Sequence, residues 1–548
     1  MKKTALSLLL LAAAAAQAAP APSATSATDA SCVRLSSEQL LDKIKGGWAG
    51  QTIGVVYGAP VEFKFTGSYT QAYQPIPWNE HIVKYWWDKK PGLFDDIYND
   101  CTFVETFEQL GLDVSQEELG KHFAYADYHL AHANQAGRYN IRNGIMPPES
   151  GNWLNNPHAD DLDFQIEADF IGLMAPAMQQ QALDIADKVG HIMNSGDGFY
   201  GGAFVAGLYS TAFYLDNPRD IVLAALAPIP AESKFYQTVN DVVKFYDIHP
   251  TDWIACWEFL QRKWNNDVGC PKGAFLSFNI DARLNSAFVA LAMLYGNGDF
   301  TETVDIAARC GQDADCNPST AAGVLGVMMG YDKIPPFWLN PLKEIEDLDF
   351  DGTTISLTDS YAMSYKQACE LITRNGGKAP KAGEAGEIAI PLQQVKTLPL
   401  EQNFTNTYPL TRERKDEFFD KEYEFSFDGN GFVIWGNICC LKHINKDYIA
   451  RVSTRHIGSE VFGLAEPNDN YVADIQVWID GKLDQTVKMP MKNTSRRVEP
   501  AWKYLLPEGR HTVRLVWLNP NKNYTIRIND IMYYSENPTH PRFYSNKP

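Results

Sequence analysis

The chain has 548 residues, more than one hydrophobic core can organise, so at least two domains are expected. Hydrophobic residues make up 45% and aromatics 12%, a globular composition rather than a disordered one. The formal net charge of −19 speaks against nucleic acid as a partner, but leaves room for a small phosphorylated ligand whose charge a metal offsets.

The N-terminus has the three parts of a signal peptide. Lys2 and Lys3 form a basic start, Ala5 to Ala16 an apolar segment too short to span a bilayer, and Ala16-Gln17-Ala18 a small-x-small cleavage site. Cleavage after Ala18 predicts a periplasmic or secreted protein, with a flexible leader over 19–35. No later stretch is long and apolar enough for a membrane span. The chain carries nine cysteines, an odd count, and no CxxC pair, which speaks against a structural zinc site. The adjacent Cys439 and Cys440 read as buried thiols.

From Ser36 to Arg374 the apolar spacing is mostly helical, so 36–375 is predicted to be one all-α domain. The first helix opens at Ser37 with Ser36 or Ser37 as cap. Gly46, Gly50, Gly54 and Gly58 recur every fourth residue within it, a stripe that lets another backbone approach. The spacing is not that of a phosphate loop, because no Gly-Lys-Ser/Thr follows. Further helices are expected over Asn99–Leu110, Leu183–Met193, Tyr200–Tyr214, Ser233–Tyr246, Thr251–Trp264, Ala282–Tyr295, Thr301–Arg309 and Asp359–Ile372. Asp359 or Ser360 is expected to cap the last.

Acidic residues recur at three places: Asp95-Asp96 with Asp100, Asp160-Asp161-Leu162-Asp163 with Glu167 and Asp169, and Asp313-Ala314-Asp315 ahead of a small-residue helix, Ser319 to Gly330. Each cluster alone reads as a helix cap or a solvated turn, since a helix N-terminus favours negative charge by about 0.3–1 kcal/mol per group. If the clusters converge, their repulsion raises the carboxyl pKa values unless a cation sits among them. Hard divalent cations with oxygen ligands suit such a set.

The stretch 376–400 reads as a Gly/Pro/Lys linker. After it the pattern becomes β-rich, over Tyr423–Phe427, Gly431–Trp435, Tyr448–Val452, Tyr471–Ile479, Arg510–Leu518 and Tyr524–Tyr534, with Asp480-Gly481 as a hairpin turn. An antiparallel β-sandwich over 401–548 is predicted. Trp435, Trp478 and Trp517 are expected in its core rather than on a sugar-stacking platform.

Three motifs in the helical region resemble the ADP-ribosylglycohydrolase family, the all-α fold shared with dinitrogenase-reductase-activating enzymes and crystallin J1. They are the glycine stripe ending Gly58-Ala59-Pro60-Val61-Glu62, the Asp95-Asp96…Asn99-Asp100-Cys101-Thr102 segment, and Gly311-Gln312-Asp313-Ala314-Asp315-Cys316-Asn317, the most specific match. The resemblance covers about Leu40 to Tyr331 and not the β-region. It implies two magnesium ions, with calcium or manganese as alternatives, that bind substrate ribose hydroxyls. Asp313 and Asp315 are the implied ligands on one side, and Asp100 or the Asp95–Asp96 pair on the other. Glu62 matches an acid beside the scissile bond. The Pro157–Glu167 segment resembles that of an exported bacterial subgroup, which adds Asp161 and Glu167 as candidate catalytic acids. Asn99, Asp160, Asp163, Asp197, Gln312 and Cys316 are candidate substrate contacts. The chain departs from the family pattern at Val55, at the broken Thr-Asp-Asp-Thr motif, and at Cys316, where Ser or Thr is common.

These residues suit hydrolysis at an anomeric carbon. That reaction passes through an oxocarbenium-like transition state, with water activated on one face and the leaving group stabilised on the other. The partner is then a small-molecule or glycan substrate. Two alternatives stand beside an ADP-ribosyl hydrolase: an exported glycosidase using the sandwich as an accessory domain, and a non-catalytic metal-dependent binding protein.

Overall fold

The computed structural model describes residues 31–266, 268–381, 384–441 and 469–538. The signal peptide and the strand expected at Tyr448–Val452 lie outside the described residues. A helical domain is followed by two antiparallel four-stranded sheets. Among the described residues no helix is long and apolar enough to cross a membrane.

The helical domain comprises α1 (Ser37–Gly58), α2 (Ile82–Lys89), α3 (Asp95–Leu110), α4 (Gln116–Tyr125), α5 (His132–Arg142), α6 (Asp163–Ile166), α7 (Asp169–Met174), α8 (Gln179–Gly190) and α9 (Gly196–Thr211). It continues with α10 (Pro218–Leu226), α11 (Lys234–Ile248), α12 (Trp253–Trp264), α13 (Ala282–Gly296), α14 (Phe300–Arg309), α15 (Cys316–Met329), α16 (Pro336–Leu339) and α17 (Leu357–Arg374). Helix α1 is capped by Ser36, which forms a capping box with Gln39. The expected cap of α17 is corrected: Ser356 takes that position, and Asp359 completes its capping box from the first turn.

Helices α1 and α15 run antiparallel at the centre, and the glycine stripe sets their distance. A Cβ on Gly46, Gly50, Gly54 or Gly58 would lie 2.1, 2.3, 2.2 or 1.9 Å from the carbonyl oxygen of Gly326, Ala322, Pro318 or Ala314 respectively. Only glycine permits backbones this close, so the stripe packs helices and holds no phosphate.

Both ends of the helical domain differ from expectation. Strand β1 (Cys32–Ser36), inside the stretch expected to be leader, pairs antiparallel with β2 (Glu387–Pro391), inside the stretch expected to be linker. Residues after β2 remain attached to the helices. Glu401 accepts from Gly196 N–H at 2.8 Å and sits 3.1 Å from His191 Nε2, while His191 Nδ1 lies 2.9 Å from the Asp187 carbonyl. Burial disfavours the His191 cation, but Asp187 and Glu401 outweigh it and raise the imidazole to about 10. In the unfolded chain a histidine titrates near 6.5. The pairing therefore stabilises the fold fully below about pH 6.5, and the contribution disappears as pH rises through about 10. His191→Gln is expected to cost about 2 kcal/mol near neutrality. Its urea midpoint should converge on that of the parent chain at alkaline pH, and a pH-independent gap would contradict the pairing.

The sheets are ordered β3-β10-β5-β8 and β4-β9-β6-β7. Their strands are β3 (Tyr408–Phe419), β4 (Glu422–Gly429), β5 (Gly431–Cys440), β6 (Val472–Ile479), β7 (Lys482–Pro490), β8 (Trp502–Lys503), β9 (Gly509–Trp517) and β10 (Tyr524–Ser535). Asp480 and Gly481, both at positive φ, turn β6 into β7 as expected. Strands β4 and β6 alternate buried with more open positions, the pattern of a sheet packed on one face. Strand β5 is buried almost throughout, because its sheet packs on both faces. One face holds Phe432 and Ile434 in the sandwich core. The other carries Val433, Met532 and Tyr534 against Val268, Cys270 and Ala274 of the helical domain.

That contact makes the sandwich a wall of the helical domain rather than a tethered module. Arg412 donates to the Pro271 carbonyl (2.8 Å), Tyr139 to the Lys488 carbonyl (2.8 Å), and Trp502 to the Leu154 carbonyl (3.0 Å). Of the three tryptophans expected in the core, Trp517 is there. Trp435 instead lies under the Lys272 ammonium, 3.4 Å from the ring centroid, and half-buried Trp478 carries Arg514 at 5.7 Å. All nine cysteines are free, and Cys439 and Cys440 are buried.

Candidate functional site

Three chain segments meet where α1 ends and α15 begins. The turn after α1 is closed by Glu62 N–H donating to the Gly58 carbonyl, which places Glu62 at the end of the glycine stripe. Opposite it, Asp315 is the N-cap of α15 and accepts from Cys316 N–H at 3.1 Å. The first turn of α3 brings Asp95 and Asp96 to the same place. Ahead of Asp313, Gly311 and Gln312 both have positive φ, and a Cβ on Gly311 would lie 2.3 Å from the Phe65 carbonyl oxygen. Gln312 Oε1 accepts from Asn279 N–H (2.9 Å) and its Nε2 donates to the Ser277 carbonyl (3.1 Å). Gln312 is therefore corrected from a substrate contact to the residue that shapes the acidic loop.

Donor atoms of Asp95, Asp96 and Cys316 lie within 4.8 Å of one another, and so do those of Asp313, Asp315 and Cys316. The buried Cys316 thiol joins the two groups and donates to Asp96 Oδ1 at 3.3 Å. Asp96 Oδ2 is buried without a hydrogen-bond partner. Burial raises every carboxyl here, and mutual repulsion adds to it. Asp95 is pushed up to about 6, Asp313 to about 7 and Glu62 to about 8, while Asp96 and Asp315 move well above the usual range. Lys90, 2.8 Å from Glu62 Oε2, works against this for Glu62, Asp95 and Asp315. Crowded, desolvated oxygen donors with an orphaned carboxylate oxygen fit hard divalent cations. Asp95, Asp96, Asp313 and Asp315 are the residues that could hold them.

Asp100 stands apart from the donors that meet around Cys316, although its Oδ1 is likewise buried without a partner. It lies four residues, about 6 Å, beyond Asp96 along α3. There Asp100 Oδ2 accepts from Gln51 Nε2 (3.0 Å) and Phe170 N–H (3.2 Å), and the same Gln51 amide donates to Asp169 at 2.8 Å. This is a second, deeper layer of buried acids.

Beside the cage, Glu167 Oε1 accepts from Asn99 Nδ2 at 2.6 Å and from Asn134 Nδ2, while its Oε2 is buried without a partner. Burial and the neighbouring Asp163 keep Glu167 well above its usual range. Asp163 Oδ1 accepts from Asn134 N–H (2.9 Å) near the start of α5, and burial with Asp161 pushes its carboxyl up to about 8.

The structure takes three other expected residues away from the cage. Asp161 is engaged by His158 Nδ1 (2.8 Å) and by the Cys270 thiol (2.7 Å), a set of partners apart from the cage. Asp160 accepts from Asn403 at 2.6 Å, and Asp197 faces Arg283 at 3.6 Å while accepting from Phe235 N–H. Asp160 and Asp197, with Asp281, form a buried ionic cluster around Arg283 rather than substrate contacts. Conversely, the sequence reading missed Lys90 and Asn134. Neither has a motif around it, and Asn134 lies on α5, a helix whose polar residues Gln135, Arg138 and Asn140 are buried.

At the open side of the cage Phe63 is 49% exposed, directly after Glu62 and at positive φ. Its ring sits 5.1 Å from that of Phe278 in edge-on contact.

A family model described as ADP-ribosylglycohydrolase matches residues 36–370. No curated protein matches the chain. A solved structure titled ADP-ribosylglycohydrolase-related protein complex is similar over 60% of this chain and 98% of its own, with 15% identity and a TM-score of 0.41.

Proposed function

We propose, since the chain belongs to the ADP-ribosylglycohydrolase family, that it is a divalent-cation-dependent hydrolase acting at the anomeric carbon of an ADP-ribosyl or related ribosyl glycoside. The family is one of glycohydrolases, which supports hydrolysis of a glycosidic bond in general. The observation that carries the metal-dependent reading is the meeting of Asp95, Asp96, Asp313 and Asp315 around Cys316. Bound among those oxygens, magnesium-class ions would orient vicinal hydroxyls and supply Lewis acidity for water or the leaving oxygen.

The chain's own residues do the rest. Glu62 lies beside Asp315 and Asp95, largely buried but reachable, with an 11% exposed side chain held by Lys90. It is the group placed to move a proton to or from the reacting water. Glu167 and Asn99 form the adjoining wall, and Phe63 offers a flat apolar face at the opening. The wall and the cage together exclude bulk water from the acids. Export, supported by the basic start and apolar segment before Ala18, would place this activity outside the cytoplasm. N-terminal sequencing of the mature protein tests that part.

The decisive assay is a panel of ADP-ribosyl and aryl-glycoside substrates with magnesium, manganese, calcium or chelator. Release of ADP-ribose or ribose that requires a cation is expected. Cation-dependent release of other sugars would replace the substrate assignment with a glycan, and cation-dependent binding without turnover would replace hydrolysis with binding. Glu62→Gln is expected to lower kcat about 10²–10⁴-fold. Magnesium affinity should change little, and loss of both together would make Glu62 a ligand instead.

A further inference from the structure

We infer that His132, His158 and Asp161 form a second metal site, of the zinc class, at the junction of the helical domain and the sandwich. One nitrogen of each imidazole and a carboxylate oxygen of Asp161 lie within 4.8 Å of one another. Asp161 Oδ2 is 2.8 Å from His158 Nδ1 and 3.6 Å from His132 Nδ1. Tetrahedral zinc with ligand bonds of about 2.0–2.1 Å separates its donors by about 3.3 Å, between those two values. The two rings meet edge-on at 71°, with centroids 5.8 Å apart.

Three further features fit a cation here. His158 Nε2 lies 2.7 Å from Glu499 Oε1. A carboxylate on the far nitrogen fixes the tautomer and turns the other nitrogen's lone pair to a metal. His132 faces Asp161 at a distance too long for a hydrogen bond. His132 also holds φ 44°, a left-handed backbone that a histidine adopts at a cost. Its side chain is 22% exposed, which gives an entry path.

Binding is a ligand exchange without electron transfer. His158 Nδ1 releases the proton it shares with Asp161 to solvent, Nε2–H stays on Glu499, and zinc takes the freed lone pair. Because Glu499 belongs to the sandwich and the ligands to the helical domain, the ion would fasten the two together.

Metal-stripped protein is dialysed against zinc chloride and its bound zinc measured by elemental analysis. Zinc is counted in the Asp313→Asn background, where the acidic cage has lost a ligand, and one equivalent is expected there and on adding Cys316→Ser. On the same background it should be lost in His132→Ala, and Glu499→Gln should bind about 10–100-fold more weakly. His132 lies at the edge of the site, so its variant is checked for the parent's circular dichroism. If that check fails, the Glu499→Gln affinity decides alone. In that background, retention by a folded His132→Ala, unchanged affinity in Glu499→Gln, or no uptake at about 10 µM free zinc would each overturn the assignment.

Discussion

Replacing Asp313 with asparagine is expected to abolish turnover, by about 10³-fold or more, while making the metal-free protein more stable. The two effects have one cause. Asp313 is buried, and burial together with Asp96, Glu62 and Asp95 pushes its carboxyl up to about 7. A metal-free cage therefore carries unfavourable charge at neutral pH, and an uncharged amide of the same shape relieves part of it. A catalytic centre commonly costs stability in this way. The same substitution removes a ligand oxygen, so the cation should no longer stabilise the fold. An ion at about 100 times its dissociation constant adds about 2.7 kcal/mol to the parent chain. Melting curves with and without magnesium measure both consequences. The parent should show a large magnesium shift from a low start, and the variant a flat response from a higher one. A preserved magnesium shift, or preserved turnover, would remove Asp313 from the centre.

That centre was legible in part because its geometry depends on local sequence. A run of glycines at every fourth position has few uses in a helix besides close backbone contact, and the contact here is with α15, which carries the second legible feature, Asp313-Ala314-Asp315. What spacing could not decide was depth. Asp95, Asp96 and Asp100 all sit on α3, but only the structure shows Asp100 apart from the donors around Cys316, with Gln51 and Phe170 N–H on its Oδ2. Asp160, Asp161 and Asp197 misled for the same reason, since an acid paired with Arg283, His158 or Asn403 reads in sequence like any other acid. The β-region failed at its edges. Among the described residues strand β3 is an edge strand carrying Arg412, Arg414, Lys415 and Asp416, charges that discourage further strand pairing and erase the alternation that would reveal it. Strand β7, the edge of the other sheet, is hidden by Lys482, Asp484 and Lys488. Helix α5 went unseen because its buried face is polar, serving the acidic wall and the domain junction instead of an apolar core.

The glycine stripe supplies the sharpest separation of folding from catalysis, because its two ends are sterically alike and functionally different. A Cβ at Gly58 would stand 1.9 Å from the Ala314 carbonyl oxygen and 2.5 Å from Asp315 Cα. A Cβ at Gly46 would stand 2.1 Å from the Gly326 carbonyl oxygen and 2.8 Å from its carbon. In both cases the obstructing atoms are backbone, so no side-chain rotation makes room and the helices must part. Overpacking of this kind costs about 1–3 kcal/mol and more where backbone must shift. The two positions are 12 residues apart along α1, about 18 Å at 1.5 Å per residue. Gly46→Ala spreads the far end of the pair, around Gly326 and Tyr331. Gly58→Ala pushes directly on the loop that holds Asp313 and Asp315, away from the turn that holds Glu62. A displacement of about 1 Å between reacting groups costs about 10²-fold in rate. Both variants should therefore melt earlier by similar amounts. Per folded molecule, Gly58→Ala alone should lose about 10²-fold in kcat/KM and weaken magnesium binding. If the two variants lose activity equally after correction for the folded fraction, the α1–α15 junction supports the fold without setting the geometry of the acidic cage.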